Sequence, residues 1–113
     1  MDTMAWVDRI RAFCRENADP VRAAKYTRYF TEGYDPYGLE QKPMEKQLAL
    51  WLAELRRETD TEGILAIGEE LLKSGKYEET SFAILFAIAL KKEYTPALFG
   101  RFEKWFGTGF VNW

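Results

Sequence analysis

The sequence contains no histidine and only one cysteine, Cys14. Without histidine, the chain cannot build a Ser-His or Cys-His nucleophilic pair or a histidine-ligated metal site. A single thiol excludes an internal disulfide bond and a CxxC zinc or redox motif. The sequence therefore predicts no metal site.

Long hydrophobic runs and a strong charge imbalance are also missing. The longest apolar stretch runs from Phe82 to Leu90, well short of the roughly 20 residues that span a bilayer. The first five residues lack the basic region and apolar run of a signal peptide, and a free thiol suits a reducing compartment. We therefore expect a cytoplasmic protein with no membrane contact. Because 16 Lys+Arg oppose 18 Asp+Glu, any contact with nucleic acid needs a local basic patch.

The chain is long enough for one domain, and its helix caps and breakers predict an all-α fold of about six helices. Asp-Pro and Thr-Pro pairs are typical of helix starts, because the first residue caps the helix and proline fits its first turn. The apolar stretch 82–90 has no polar face, which predicts a central buried helix. The second helix is expected to end near Phe30. Helix starts are predicted at Asp2 or Thr3, Asp19-Pro20, Pro43, Asp60 or Thr61, Tyr77 and Thr95-Pro96.

An internal repeat with an offset of 34 residues relates the third and fourth predicted helices to the fifth and sixth. Thr61 corresponds to Thr95 and Gly75 to Gly109, and apolar positions between them also match. Such a repeat predicts antiparallel helical hairpins stacked as an α-solenoid. The predicted division is an N-terminal helix pair at 1–30, a loop at 31–42, repeat hairpins at 43–75 and 76–109, and the start of a further hairpin at 110–113.

The last predicted helix and the residues after it are rich in aromatic side chains. A solenoid normally ends in a repeat with a polar outer face. An aromatic end instead predicts a missing C-terminal portion or a partner chain, and it predicts self-association of the isolated chain. The aromatic residues are Phe99, Phe102, Trp105, Phe106, Phe110 and Trp113.

Acidic residues form two adjacent pairs, Glu69-Glu70 and Glu78-Glu79. Neighbouring positions do not share a helix face, so we interpret both pairs as solvated or first-turn carboxylates rather than as catalytic pairs. Glu79 differs because its helix is otherwise apolar, and its carboxylate is expected to cap nearby backbone. Gly68 is expected to allow close helix packing rather than ligand approach.

Basic residues form two weak clusters near aromatic rings. One cluster follows the second helix at a spacing of three residues, and the other lies at the ends of the repeat helices. Cations beside aromatics occur on ordinary charged rims, and they also suit a groove for the DNA backbone. The residues are Arg22, Lys25 and Arg28 with Tyr26 and Tyr29, and then Lys73, Lys76, Arg101 and Lys104.

Three motifs in residues 24–113 resemble the DNA alkylation repair family, whose members are alkylpurine-DNA glycosylases and relatives built from HEAT-like repeats. The first motif is Tyr29-Phe30, followed by Tyr37-Gly38-Leu39 and Pro43. The second is Gly75-Lys76-Tyr77-Glu78-Glu79. The third is Phe102-Glu103-Lys104-Trp105, followed by Asn112-Trp113.

The resemblance implies a HEAT-like α-solenoid that binds duplex DNA and hydrolyses the N-glycosidic bond of alkylated purines without a cofactor. It implies that Trp113 is a catalytic residue that shapes the lesion site, and that Tyr29 lies near the lesion. The family places an Asp four residues after the Trp, where a carboxylate stabilises positive charge on the sugar as the base leaves. That position lies beyond residue 113, so we expect these residues alone to be inactive. The candidate DNA-binding residues are Arg28, Tyr29, Lys76 and Lys104.

A second resemblance, to a tetratricopeptide repeat, covers residues 65–90 and rests on Gly68, Gly75, Tyr77 and Ala87. It implies a non-enzymatic module that binds a peptide or protein on its helix faces. Salt distinguishes the two functions, because DNA binding weakens steeply with ionic strength and hydrophobic peptide binding does not.

Overall fold

A computed structural model of the chain describes residues 1–28 and 35–107. Within those ranges the fold is all-α, as predicted, and consistent with a helical solenoid. Tyr29 and Trp113 lie outside the described residues. The helices are α1 (Thr3–Glu16), α2 (Pro20–Thr27), α3 (Gln41–Glu58), α4 (Thr61–Leu72), α5 (Tyr77–Ala89) and α6 (Pro96–Glu103), with 3₁₀ turns at Lys91–Glu93 and Lys104–Gly107. None of these helices is long and apolar enough to span a membrane.

Four predicted helix starts are confirmed by the side chains that cap them. Each capping oxygen accepts a hydrogen bond from a backbone N–H of the first turn, which otherwise has no partner inside the helix. Pro20 and Pro96 follow their caps directly, where a missing N–H costs nothing. The capping bonds join Asp2 to Ala5 N (3.1 Å), Asp19 to Val21 N (2.9 Å), Asp60 to Gly63 N (3.0 Å) and Thr95 to Leu98 N (3.3 Å).

Two predicted helix bounds differ from the structure. The third helix begins at Gln41 rather than at Pro43, and the predicted loop 31–42 therefore ends at Glu40. Proline fits the first turn because the N–H groups there have no intrahelical partner to lose. The second helix was predicted to reach Phe30, whereas α2 ends at Thr27.

The core is centred on α5, which is buried around most of its circumference, as predicted. Its most extensive contact is with α4, and α1 packs against both helices. Edge-on aromatic contacts join α5 to α3 and α1: the Phe82 ring centroid lies 5.2 Å from that of Trp51 on α3 and 6.3 Å from that of Phe13 on α1. The division into hairpins at 43–75 and 76–109 stays a prediction. It assigns α4 and α5 to different hairpins, yet these two helices make the most extensive contact, so the structure does not separate the hairpins.

Gly68 allows the close packing that the sequence predicts. A Cβ at this position would lie 2.7 Å from Cη2 of Trp105 and 3.5 Å from Cβ of Ala83. Trp105 is itself buried, with 3% of its surface exposed, so its ring has little room to move. The contact therefore fixes α5 and the end of α6 against the same turn of α4.

We expect Gly68→Ala to destabilise the protein and Gly100→Ala to stabilise it. Alanine is the better helix former by about 1 kcal/mol at both sites. At position 100 a Cβ meets no atom of the described residues within 4 Å, so this gain is realised. At position 68 the clash with Trp105 should outweigh the gain in helix propensity and lower the free energy of unfolding by about 1–3 kcal/mol. Urea unfolding measures both changes, and equal stabilisation by the two substitutions would contradict the packing described.

Candidate nucleic-acid interface

Three lysines lie at one end of the helical stack, and we call this set the basic edge: Lys73, Lys76 and Lys104. Residues 73–76 join α4 to α5, which brings Lys73 and Lys76 together. Gly75 adopts φ +74 in this connection, a left-handed conformation that suits glycine. Lys104 comes to the same end because the end of α6 packs on the second half of α4.

The packing of α6 on α4 depends on a half-buried ion pair between Arg101 and Glu69. Glu69 accepts hydrogen bonds from Nε and Nη2 of Arg101 at 2.7 and 2.6 Å, and from Nε1 of Trp105 at 3.2 Å. Hydrogen bonding to Arg101 lowers the pKa of the Glu69 carboxyl, and the same bond raises the pKa of Arg101. Arg101 therefore has a structural role, because its guanidinium joins α6 to Glu69 of α4. This differs from the sequence-based expectation that it belongs to a cluster suited to the DNA backbone.

A groove of about 470 Å³ opens beside this ion pair. Lys73 is 69% exposed and pairs with Glu70 at 2.8 Å. Lys104 is exposed and makes no ion pair with any residue that the structure describes. The groove therefore carries two exposed lysines beside the Glu69–Arg101 ion pair, with Leu72 and Trp105 as its apolar lining. Its lining residues are Glu69, Leu72, Lys73, Arg101, Lys104 and Trp105.

Lys76 stands at the start of α5, where its ammonium contacts both an acid and an aromatic ring. Its Nζ lies 3.1 Å from Oδ1 of Asp35 and 4.9 Å from the centroid of the Tyr37 ring. The carboxylate partner is 60% exposed, so this ion pair is weak and open to exchange with a phosphate. Lys76 is thus partly held in place while its charge remains accessible.

The predicted cluster on α2 divides into one structural residue and two exposed ones. Arg22 donates to the Gly38 carbonyl at 3.0 Å and to Glu40 at 2.8 Å, so its charge is used internally. Lys25 and Arg28 are exposed on α2 and at its C-terminal end. Of the four candidate DNA-binding residues, the structure thus brings Lys76 and Lys104 to one end and leaves Arg28 exposed. The fourth, Tyr29, lies outside the described residues, as does the catalytic candidate Trp113.

Sequence reasoning missed a pair of buried carboxylates behind this surface. Glu78 and Glu79 lie in the first turn of α5, which is one of the two predicted alternatives, but each is only 1% exposed and neither is solvated. The prediction that Glu79 caps backbone is wrong, because Glu79 accepts from Nε of Arg11 at 2.8 Å and from the Tyr37 hydroxyl at 2.6 Å. The carboxylate that accepts hydrogen bonds from backbone N–H groups is that of Glu78. Their position in the first turn of a helix without a polar face is the signal that could have revealed their burial.

Burial and the neighbouring carboxylate raise the pKa of the Tyr37 hydroxyl, which keeps its proton on the hydrogen bond to Glu79. Burial likewise raises the pKa of the Cys14 thiol. A neutral buried thiol is a poor nucleophile, so Cys14 is a packing residue.

Taken together, these features define an all-α protein, consistent with a helical solenoid, that carries a basic edge. The sequence profile of the DNA alkylation repair enzyme family matches residues 10–113, and the chain belongs to that family. This confirms the resemblance drawn from the three motifs. Comparison with curated proteins and with solved structures found no match.

We expect Glu69→Gln to cost about 1 kcal/mol at pH 7, because solvent screens part of the charged hydrogen bonds to Arg101. The folded-state pKa of Glu69 lies below its ordinary value of 4.5. Its contribution is therefore complete above pH 4.5 and is lost as the pH falls through the folded pKa. In urea unfolding between pH 7 and pH 3, the difference in unfolding free energy between wild type and Glu69→Gln should shrink as the pH falls below 4.5.

Glu70→Gln is the matched control. It removes the same charge one residue away, from a pair whose lysine is 69% exposed. A change within about 0.5 kcal/mol is expected. Equal effects of the two substitutions would mean that Arg101 does not fasten α6 to α4.

Proposed function

We propose that this chain is a DNA-binding portion of an alkylpurine-DNA glycosylase-like protein, and that its basic edge contacts the backbone of duplex DNA. One observation carries the proposal: a chain of net charge −2 gathers three lysines at one end of its helical stack. Membership of the DNA alkylation repair enzyme family supports it independently. Phosphates are bound by local cations, so an overall acidic chain can still bind DNA through such an edge.

The proposed reaction of the full-length protein is hydrolysis of the N-glycosidic bond of an N-alkylated purine. An alkylated purine already carries positive charge, so it leaves readily when a carboxylate stabilises the developing charge on the sugar. The buried carboxylates of Glu78 and Glu79 are engaged by protein groups and are unavailable for that role. In this proposal Trp113 shapes the lesion site, Tyr29 lies nearby, and the carboxylate comes from beyond residue 113. We also propose a cytoplasmic location and no cofactor.

A protein-binding module is the second candidate function. The α4–α5 pair favours it, because this is the most extensive helix contact and it covers the region that resembles a tetratricopeptide repeat. The small residues Gly68 and Ala83 meet across that contact. The ring of Phe99 is 52% exposed, which fits self-association through the aromatic end. Trp105 is buried and Phe102 half-buried against the core, so these two rings are not available for it, and the side chains at 106, 110 and 113 lie outside what the structure describes.

We expect the double substitution Lys76→Glu, Lys104→Glu to weaken binding to a fluorescent 20-base-pair duplex by roughly tenfold or more at low salt. The slope of log K against log salt should also fall by about 2, since two phosphate contacts are lost. Fluorescence anisotropy between about 25 and 200 mM salt, over which the Debye length falls by about a factor of three, measures both quantities.

Lys92→Glu is the control, because Lys92 is exposed on the 3₁₀ turn that follows α5 at the opposite end from Lys76. Its affinity should stay within about twofold of wild type after allowance for the change in net charge. Equal losses from all three substitutions, or binding that is independent of salt, would contradict the basic edge. Salt-independent binding to an apolar peptide would instead support the protein-binding module.

A further inference from the structure

Every backbone N–H and carbonyl group of residues 37–39 makes a hydrogen bond, the N–H groups to Glu78 of α5 and the carbonyls to α2 or its N-cap. All three N–H groups donate to the Glu78 carboxylate: Tyr37 N to Oε1 at 2.8 Å, and Gly38 N and Leu39 N to Oε2 at 3.0 and 3.1 Å. All three carbonyls accept from α2 or its cap. The donors are Asp19 N (3.0 Å), Nη1 of Arg22 (3.0 Å) and the Tyr26 hydroxyl (3.3 Å), in order along the segment.

The carboxylate of Glu78 is an expensive group to bury here. It is 1% exposed, and it makes no ion pair with any of the described residues. Three backbone donors and the N-terminal end of the α5 dipole stabilise its charge instead. An irregular segment packed in the interior needs partners for its N–H groups, and one carboxylate supplies all three.

Among the described residues, the other polar contact of α2 with a later part of the chain is the ion pair of Arg22 with Glu40 at 2.8 Å. Helix α2 is eight residues long and has no buried side chain. Gly38 touches it closely: at φ +88, a Cβ there would lie 2.3 Å from the Asp19 carbonyl oxygen and 2.7 Å from Ala23 N. The backbone of 37–39 therefore contributes strongly to the position of α2, beside the Arg22–Glu40 ion pair, and Glu78 holds the N–H groups of that backbone.

We propose that Glu78 is a positioning residue for DNA binding, which holds the exposed cations of α2, Lys25 and Arg28, at a fixed distance from Lys76 on α5. The proposal rests on the proposed function, since it concerns the spacing of the cations that meet the DNA backbone. Phosphates lie at regular intervals along a duplex, so cations on two separate elements bind it together only when their spacing is fixed. Glu78 itself touches no DNA in this arrangement.

Hydrogen exchange of Glu78→Gln tests the positioning without DNA. A glutamine has the same shape but only one accepting oxygen, so the donors of 37–39 lose partners. Amides of α2 should exchange at least about tenfold faster, while amides of α4 keep their protection. Glu79→Gln, which alters the adjacent buried carboxylate but none of those three bonds, should leave α2 close to wild type. Unchanged exchange in α2 on Glu78→Gln would overturn the proposal.

Gly38→Ala gives a second route if Glu78→Gln fails to fold. It disturbs the contact with α2 through the Cβ clash and leaves the Glu78 side chain intact. The same selective loss of protection in α2 is expected. Uniform loss across α2 and α4 would mean that the segment supports the whole fold rather than α2, and would overturn the proposal.

A double-mutant cycle on duplex affinity tests the consequence for binding. Arg28→Ala should weaken wild-type binding by about fivefold but have almost no effect in a Glu78→Gln background, where Arg28 is no longer positioned. Lys104→Ala should cost the same in both backgrounds, because α6 does not depend on Glu78. If Glu78→Gln only lowered the stability of the whole protein, it would change the affinity costs of Arg28→Ala and Lys104→Ala by the same factor. Equal costs of Arg28→Ala in the two backgrounds would overturn the proposal, whereas absence of wild-type binding would reject the proposed function and leave hydrogen exchange to decide the positioning.

Discussion

Two carboxylates buried side by side in the first turn of α5 constrain the described structure more than any other polar groups. A buried charge is tolerated only when its hydrogen bonds are satisfied, and satisfying Glu78 and Glu79 takes groups from two other parts of the chain. Arg11 comes from α1, the backbone of 37–39 comes from the segment before α3, and the Tyr37 hydroxyl completes the set. These parts cannot shift separately without leaving a buried charge exposed to apolar surroundings.

The basic edge lies on the surface of this arrangement. Several cations are used up inside the fold: Arg11 on Glu79, Arg22 on Gly38 and Glu40, and Arg101 on Glu69. The lysines of the basic edge are bound less firmly: Lys73 and Lys76 pair with exposed or half-exposed acids, and Lys104 makes no ion pair with a described residue. Arginine suits the internal positions because its planar fork donates to two oxygens at once, whereas lysine on a flexible stem suits a contact with a phosphate whose position varies.

Local features of the sequence predicted much of the fold, because the side chains that begin α1, α2, α4 and α6 act within three residues of their own position. The start of α3 could not be placed in this way, because Glu40 makes no capping bond. A proline fits any position of the first turn, so Pro43 does not mark which residue begins the helix. The basic residues were found from composition, but the role of Arg101 was not, because its partner lies 32 residues away. Glu78 and Glu79 were missed for the same reason: their partners are 39 to 68 residues distant, and no periodic pattern records such pairings.

The central claim is that duplex DNA meets the end of the helical stack at which α4 joins α5. Amide chemical-shift changes in ¹⁵N-labelled protein titrated with a short duplex test it directly. We expect the largest changes at residues 73–76 and 101–105, with further changes at 25–28 and 35–39, and little change at 90–93 on the opposite end. Changes concentrated at 90–93, or no change at concentrations that saturate a family glycosylase, would contradict it.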